Sequence, residues 1–461
     1  MNEMTCILVQ TWPHRAPSGS FVLVSDIIQA AADLRIGSER QADDSGLAAF
    51  YRGMTVVERR TMLACAAGYA LDGLDFTIYT LVLGSVIALW HVDRGVAGLT
   101  VSATLLCSAV GGWAAGWVSD NMGRVRAVQI TVFWFALFSL LSSFAQSFTQ
   151  LAVCRALLGF GFGGEWTAAA ALMSETIRPR YRGRAVGCVQ SGWAVGWGAA
   201  VVLQAIVYSI VPDQQAWRWM FALGFLPALY VLFVRRFVQE PPLAVAARAA
   251  AGAGAARGPS NGSIWEIFAP DLLPTTMLAA LLGTGAQGGY YAINTWLPIF
   301  LQNERHLTIV GSTGYLAFLI AGAFAGYLTG AWLADRIGRR SLFLIFSVAA
   351  LVMTLVYTRA PLTNHMLWIL GFPLGFVVSG YFAGMGAFFA ELFPTRVRGS
   401  AMGFAYNFGR GVGATFPALV GYVSATMPLS RAIAIFAGIA YTVMGIAALL
   451  LPETRGRPLA S

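Results

Sequence analysis

Long apolar segments recur along the whole chain, and short polar stretches rich in arginine separate them. Each segment has about 20 residues, which at about 1.5 Å per residue lets a helix cross a hydrocarbon layer about 30 Å thick. We therefore expect an all-α integral membrane protein with twelve transmembrane helices. The predicted spans 1 to 12 lie at residues 61–84, 96–118, 127–145, 148–173, 185–209, 217–235, 274–301, 311–334, 341–358, 366–389, 399–424 and 431–451.

The composition agrees with a chain that lies mostly in lipid. Of the 461 residues, 57% are hydrophobic and 11% are charged, and the mean hydropathy is +0.66. A soluble globule of this length needs a polar surface that so few charged residues cannot supply. The five cysteines are scattered singly without a CxxC pair, so the sequence supports neither a disulfide framework nor a thiolate metal site.

The net charge of +9 comes from arginine, because the chain contains no lysine. Arginines concentrate in alternate loops, which favours a role in membrane topology over nucleic-acid binding. By the positive-inside rule these loops are cytoplasmic, and the even number of spans then places both termini in the cytoplasm. The arginines concerned are Arg124, Arg126, Arg178, Arg180, Arg182, Arg184, Arg235, Arg236, Arg336, Arg339, Arg340, Arg396, Arg398, Arg455 and Arg457.

Two halves of the chain resemble each other at a separation near 216 residues. The segment GWVSDNMGR at 116–124 returns as AWLADRIGR at 331–339, each after the second span of its half. Because the repeat contains an even number of spans, both copies enter the membrane in the same orientation. We predict two pseudo-symmetric six-helix bundles, residues 55–240 and 271–461, with a central cavity between them.

The remaining segments are predicted to be a tail and a linker. Residues 1–54 form a cytoplasmic N-terminal tail that we expect to be disordered, and residues 1–46 show no secretory signal. A start codon assigned too far upstream is the alternative explanation of that tail. Residues 241–270, which include the Ala/Gly-rich stretch 244–262, form the cytoplasmic linker between the bundles.

The repeated segments resemble the G-x-x-x-D-x-x-G-R signature of the major facilitator superfamily. The first copy departs at Asn121 and Val125, and the second at Ala331. The resemblance covers residues 55–456 and implies a transporter that works by alternating access. Four further segments resemble the metabolite and carboxylate symporters, most closely the sialate:proton symporters: LDGLDF at 71–76, GFGGEW at 161–166, QEPP at 239–242 and PETRG at 452–456.

Charged side chains inside spans 1 and 4 are the candidates for proton coupling. An ionised side chain facing lipid costs about 2.5 to 3.5 kcal/mol, so these groups should line the interior. Asp72 and Asp75 share a face of span 1, and their mutual repulsion makes one of them a candidate proton carrier. By the family resemblance Arg155 lies near them, and a purely structural ion pair with it stays open. Glu165, expected near the outer end of span 4, either joins the proton relay or is a helix-packing charge.

Arg410 in span 11 is the candidate for binding an anionic substrate. It has no acid within one turn in sequence, and a guanidinium can grip a carboxylate with two hydrogen bonds. Pairing with an acid from another helix is the alternative. Polar side chains of spans 5, 7 and 11 complete the predicted binding site: Gln190, Gln287, Tyr290, Tyr291, Asn294 and Asn407.

Charges at the predicted cytoplasmic ends of the helices form a third group. They could simply enforce topology, but the family resemblance implies a network that closes the cytoplasmic side and breaks in the inward-open state. The predicted gate residues are Asp120, Arg124, Glu175, Arg182, Asp335, Arg339, Glu391 and Arg398.

Other chemistry finds no support in the sequence. The segment GFGFGG at 159–164 fits G-x-G-x-x-G, but it lies inside an apolar span, where its glycines favour close helix packing. No catalytic, metal-binding or ATP-binding motif occurs, so we expect no cofactor, no metal and no enzymatic activity. Span 5 also lacks the Gly-Pro pair of drug:proton antiporters.

The predicted function is proton-coupled symport of a small organic anion by a monomeric carrier in the cell (inner) membrane. A symporter of a sugar or another neutral metabolite is the alternative within transport. A transporter-like nutrient sensor without flux is the alternative of another class.

Overall fold

The chain is helical, without a β-strand, throughout the part that the structure covers, which confirms the all-α class. The computed structural model describes residues 47–122, 124–178, 182–230, 264–394 and 397–455. The chain divides into two compact units, residues Met1–Arg59 and Arg60–Ser461.

The described part of the first unit is a short helix, α1 (Leu47–Gly53), and the start of a long one, α2 (Val56–Trp90). The backbone N–H of Thr55 donates to Glu58 Oε2 at 2.8 Å, and the backbone N–H of Glu58 donates to Thr55 Oγ1 at 3.2 Å. This reciprocal capping box satisfies two N–H groups that the helix itself leaves unpaired, so α2 begins directly after Thr55.

The other helices belong to the second unit and follow the predicted spans in order. They are α3 (Arg94–Met122), α4 (Arg124–Ser143), α5 (Phe148–Thr176), α6 (Arg182–Ile210), α7 (Asp213–Leu223), α8 (Leu273–Asn303), α9 (Ile309–Ile337), α10 (Arg339–Arg359), α11 (Asn364–Ser379), α12 (Phe382–Leu392), α13 (Arg398–Gly413), α14 (Thr415–Val423) and α15 (Leu429–Leu450). A 3₁₀ turn at Ile264–Phe268 precedes α8.

Eight helices of the described chain, with α11 and α12 taken as one, are long and apolar enough to cross a membrane. The helices α5 and α8, with 29 and 31 residues, are also long enough to cross a membrane, but their most apolar stretches are less apolar than those of the eight. Nine predicted spans each coincide with one continuous helix, so length and apolar pattern located most of the bundle correctly.

Spans 6, 10 and 11 are each interrupted in the described structure. The helix α7 ends at Leu223, four residues before Pro227, and α13 ends at Gly413, four residues before Pro417. Proline has no N–H to donate to the carbonyl four residues earlier, so a helix breaks there. Span 10 breaks after Ser379, between α11 and α12.

Glycines bring helices of the first half into close contact. An ideal Cβ on Gly163 of α5 would lie 1.7 Å from the Ser108 carbonyl oxygen of α3, and one on Gly196 of α6 would lie 1.7 Å from the Ala70 carbonyl oxygen of α2. Only glycine permits backbones to approach this closely. The packing role predicted for the glycines of span 4 is therefore confirmed.

The two halves of the chain meet along two helix pairs, α3 with α14 and α6 with α9. At the first pair, an ideal Cβ on Gly98 would lie 2.6 Å from the Pro417 carbonyl oxygen, and Trp296 Nε1 donates to the same oxygen at 2.9 Å. Residues of both halves, including Trp193 of α6 and Tyr327 of α9, line one small cavity. The predicted tail at 1–46 and most of the linker at 241–270 lie outside the described residues, so the domain boundaries stay predictions.

Candidate functional site

Asp75 and Arg155 form a buried ion pair between α2 and α5. Arg155 Nη1 lies 3.1 Å from Asp75 Oδ2, and each side chain is 1% exposed. Ser139 Oγ of α4 donates a short hydrogen bond to Asp75 Oδ1. The guanidinium also lies over the ring of Tyr79, 5.1 Å from its centroid. Asp75 is thus held on both carboxylate oxygens, and the structural pairing that the sequence left open is the arrangement observed.

Asp72 lies next to a different partner, the carboxyl group of Glu165 on α5. Both side chains are buried, Asp72 to 1% and Glu165 to 0% exposure. Apart from the contact of the two carboxyl groups with each other, Asp72 Oδ1 and both oxygens of Glu165 have no hydrogen-bond partner among the described residues. Two adjacent carboxyl groups in a poorly solvated site resist joint ionisation, so this pair suits the binding of one proton.

Glu165 is not near the end of its helix, contrary to the expectation from sequence. It lies in the interior of the 29-residue helix α5, where it packs against α2. An ideal Cβ on Gly68 would lie 2.3 Å from Glu165 Oε1 and 3.3 Å from the Tyr230 hydroxyl. Gly68, one turn before Asp72, therefore makes room for the Glu165 carboxyl group beside α2.

Four of the predicted binding residues line one small cavity between the halves: Gln287, Tyr290, Tyr291 and Arg410. The volume open to the centre of a water molecule is about 20 Å³, which holds little more than one water. Gln287 Nε2 donates to the Tyr406 carbonyl oxygen at 2.8 Å, and the Tyr291 hydroxyl donates to Gln287 Oε1 at 3.3 Å. These hydrogen bonds hold the polar side chains of α8 against α13.

Arg410 places a buried positive charge at the wall of this cavity. Its side chain is 3% exposed and lies over the rings of Phe162 and Tyr406, 5.3 and 5.2 Å from their centroids. Nη2 donates to the Tyr406 hydroxyl at 3.4 Å, whereas Nε and Nη1 have no hydrogen-bond partner among the described residues. No ion pair of Arg410 occurs in the described part of the chain. The site is therefore equipped to accept an anion.

Five cavity residues were not predicted from the sequence: Tyr69, Trp193, Tyr327, Phe382 and Tyr406. All are aromatic, and in an apolar span an aromatic side chain looks the same whether it faces lipid or a cavity. The sequence could have indicated Tyr406 and Tyr69, because they lie one helical turn from the interior charges Arg410 and Asp72 respectively. Together the five give the cavity aromatic walls from both halves of the chain.

Three predicted binding residues do not line the cavity. Asn294 Nδ2 donates to the Tyr290 carbonyl oxygen one turn back, at 3.1 Å. Gln190 is buried on α6, and its Oε1 has no partner in the described structure. Asn407 lies in a separate apolar groove between α3 and α13, together with Leu106. Asn407 and Arg410 thus line different hollows of the structure, and a role of Asn407 in substrate binding stays a prediction.

The second copy of the predicted gate is visible in part. Arg339 Nη2 lies 3.0 Å from Glu391 Oε1, and Thr454 Oγ1 donates to Glu391 Oε2 at 2.6 Å. Glu453 Oε1 accepts the backbone N–H of Arg339 at 2.9 Å. Gly338, with φ of 97°, must be glycine, since a side chain would be strained there and would meet the Glu453 carboxylate. These contacts join the start of α10, the end of α12 and the segment after α15.

The other predicted gate side chains lie outside the described part of the structure, so their role stays a prediction. They are Asp120, Arg124, Glu175, Arg182, Asp335 and Arg398.

Comparison with known proteins identifies the relatives of this chain. The model of the Major Facilitator Superfamily matches residues 65–370 and 314–461. The chain is 41% identical over 409 residues to the "Probable 4-methylmuconolactone transporter" of Cupriavidus pinatubonensis, which covers 88% of this chain and 94% of the relative. It is 29% identical over 398 residues to the "Cis,cis-muconate transport protein" of Acinetobacter baylyi. That alignment covers 84% of this chain and 93% of the relative.

A solved structure shares the fold. The proton:xylose symporter XylE of E. coli, bound to 6-bromo-6-deoxy-D-glucose, aligns with a TM-score of 0.69 at 17% sequence identity. The alignment covers 87% of this chain and 98% of that one. The predicted architecture of twelve helices in two six-helix bundles and the resemblance suggested by the repeated signature are both confirmed.

Proposed function

This chain belongs to the major facilitator superfamily, and we propose that it carries a small organic anion together with a proton by alternating access. It is a membrane transporter and not an enzyme. The observation that supports the anion best is Arg410, a buried cation at a cavity shared by both halves, with two nitrogen atoms left without hydrogen-bond partners. A substrate carboxylate would fill those positions with charge-assisted hydrogen bonds.

The cavity walls favour a planar, unsaturated acid. Aromatic rings from both halves, including Tyr69 and Trp193, lie around Arg410 and Gln287. Flat conjugated molecules pack well on such rings, whose faces prefer offset or edge-on contacts. The names of the two relatives, which mention muconate and a muconolactone, agree with this substrate class.

Proton coupling is assigned to the two carboxyl groups that face each other, Asp72 and Glu165. Asp75 has a fixed partner in Arg155 and a second in Ser139, so its charge is already compensated. No ion pair of Asp72 or Glu165 occurs among the described residues, so a bound proton can lower the charge of this carboxyl pair.

The remaining features of the proposal concern topology. We infer that both termini face the cytoplasm of a cell with this protein in its inner membrane, from the arginines of the alternate loops. The bundles at 55–240 and 271–461 would rock around the cavity as a monomer. The Arg339–Glu391 pair and its counterparts would close the cytoplasmic side.

Uptake into proteoliposomes tests the proposal. The purified protein would be given muconate, a muconolactone, aromatic acids, sialic acid and xylose, each with and without an inward proton gradient. We expect accumulation of at least one unsaturated acid that depends on the gradient and disappears with an uncoupler. Accumulation of xylose alone would favour the neutral-solute alternative, and binding without flux would favour a sensor.

A further inference from the structure

A hydrogen bond crosses the cavity and joins the two halves of the carrier. Trp193 Nε1 of α6 donates to the Tyr290 hydroxyl of α8 at 2.5 Å, although the two residues are 97 positions apart. Both side chains line the cavity, and both are buried, at 6% and 4% exposure. The bond therefore sits where the proposed substrate has to bind.

Trp193 is fixed to the first half. An ideal Cβ on Gly73 of α2 would lie 2.7 Å from the Trp193 carbonyl oxygen, so the two backbones are in contact. The indole ring packs against Phe76 and Phe162, with centroids 5.7 and 6.0 Å away. The backbone and the indole of Trp193 thus pack against α2 and α5 of the first half.

Tyr290 is fixed to the second half in the same manner. An ideal Cβ on the preceding Gly289 would lie 2.6 Å from the ring of Tyr441 on α15. The Tyr290 ring packs edge-on against Phe382 of α12 at 5.4 Å. The bond to Trp193 is thus a direct tie between two bodies that alternating access moves apart.

The Trp193–Tyr290 hydrogen bond and a bound substrate exclude each other. While the bond is formed, the cavity leaves about 20 Å³ for the centre of a water molecule, and ligand pockets usually have several hundred Å³. A substrate can enter only after Trp193 and Tyr290 separate. Separation also frees the Tyr290 hydroxyl, which can then hydrogen-bond to the substrate.

We propose that the Trp193–Tyr290 hydrogen bond is a latch that holds the cavity closed while the carrier reorients without substrate. It rests on the proposed function, because a symporter must return unloaded after each delivery. In the loaded carrier the substrate bridges the halves, and in the unloaded carrier the indole N–H and the phenol bridge them instead. Without the latch, the unloaded return step loses its closed intermediate and slows.

Two transport modes separate the return step from the loaded steps. Net uptake driven by a proton gradient requires the unloaded return, whereas counterflow between substrate-loaded vesicles and labelled external substrate does not. Because Trp193 also lines the binding cavity, its substitution can affect both modes, so the ratio of the two rates is the readout. We expect Trp193→Phe to slow net uptake about threefold to tenfold more than counterflow, the factor for one hydrogen bond. Trp197→Phe, one turn further along α6 and outside the cavity lining, is the matched control and should change neither mode.

Tyr290→Phe completes a double-mutant cycle. Since both substitutions remove the same bond, the double variant should slow net uptake no more than Tyr290→Phe alone. If Trp193→Phe leaves net uptake unchanged, or slows counterflow equally, the latch is refuted while the carrier function stands. If the wild-type protein moves no acid in either mode, the proposed function fails.

Hydrogen exchange tests the latch independently of any substrate. In liposomes without added ligand, the segment of α8 around Tyr290 should exchange its amide hydrogens faster in Trp193→Phe than in wild type or Trp197→Phe. Unchanged exchange would overturn the latch whatever the carrier transports.

Discussion

Asp72 and Asp75 lie three residues apart on α2, yet they face different partners: Asp72 adjoins Glu165, and Asp75 pairs with Arg155 at 3.1 Å. We therefore propose separate tasks for the two acids of the sequence motif. Asp75 belongs to the ion pair between α2 and α5, and Asp72, in the carboxyl pair with Glu165, is the proposed proton site.

The first prediction concerns the compensated pair. Asp75→Asn leaves Arg155 buried without its counter-charge, and breaking such a pair costs about 3 to 5 kcal/mol. The variant should melt at a clearly lower temperature in detergent and reach the membrane in smaller amounts, both measurable with a fluorescent fusion. The double variant Asp75→Asn/Arg155→Gln removes both charges and should recover most of the loss. A double variant as unstable as the single one would contradict the role of the pair.

The second prediction concerns the proton. Asp72→Asn and Glu165→Gln each remove one carboxyl group that can share it, so accumulation driven by the proton gradient should fall to the level of passive equilibration. Counterflow should persist, because it needs no net proton movement. Asp213→Asn, which neutralises an acid in the first turn of α7, is the control and should accumulate substrate normally. Persistent accumulation in both variants would show that groups other than Asp72 and Glu165 bind the coupled proton.

Much of this arrangement could be predicted from the sequence, because lipid imposes strong rules on length and charge. The apolar pattern located the helices, and the cost of lipid-facing charge placed Asp72, Asp75, Arg155 and Arg410 in the interior, where all four are buried. Residues three apart on a helix differ by about 60° in direction. That angle separates the partners of Asp72 and Asp75, and which neighbour faces each one depends on packing between distant segments.

The same angle separates Asn407 from Arg410. Asn407 and Arg410 are also three residues apart, and the first lies in the groove between α3 and α13 while the second lines the cavity. The sequence of α13 alone does not show which direction faces the cavity, because that depends on how α13 packs against α3 and α8. The aromatic cavity walls were missed for a related reason, since burial in protein and burial in lipid select the same residue types.

The third prediction concerns the anion. Arg410→Gln removes the cation, and a hydrogen bond to a charged group contributes about 1.5 to 3 kcal/mol, so KM for the acid should rise roughly 10- to 100-fold. Arg410→Lys keeps the positive charge but lacks the planar guanidinium group, so its KM should lie between those of Arg410→Gln and wild type. Initial uptake rates over a range of substrate concentrations give KM. Arg359→Gln, at the end of α10, is the control for charge alone. An unchanged KM in Arg410→Gln would exclude Arg410 from the binding site.

The fourth prediction concerns helix packing. Alanine is a better helix former than glycine by about 1 kcal/mol, so a helical Gly→Ala change stabilises wherever there is space. Gly386 of α12 has nothing within 4 Å of an ideal Cβ, and Gly163 of α5 has the Ser108 carbonyl oxygen at 1.7 Å. Gly163→Ala should lower the melting temperature in detergent, whereas Gly386→Ala should leave it unchanged or raise it. Equal effects would show that the contact of α5 with α3 is not tight.

The fifth prediction concerns the segment after α15. Burial alone would raise the pKa of Glu453, but the backbone N–H groups of Arg455, Arg339 and Thr454 that donate to its carboxylate outweigh burial and lower the pKa. A carboxylate with a lowered pKa in the folded state stabilises above its unfolded value of 4.5, and the contribution is lost as pH falls through the folded value. Melting temperatures of the wild-type protein should therefore fall on the acid side of pH 4.5.

Glu453→Gln should weaken that acid-side decline, because the variant has no carboxylate to protonate there. It should also be less stable than wild type at pH 7, where the carboxylate holds the start of α10. Glu304→Gln removes a carboxylate that accepts one backbone N–H, from Ser430, at 3.1 Å and serves as the control. If Glu453→Gln and wild type show the same dependence of melting temperature on pH, Glu453 does not fasten the segment after α15 to α10.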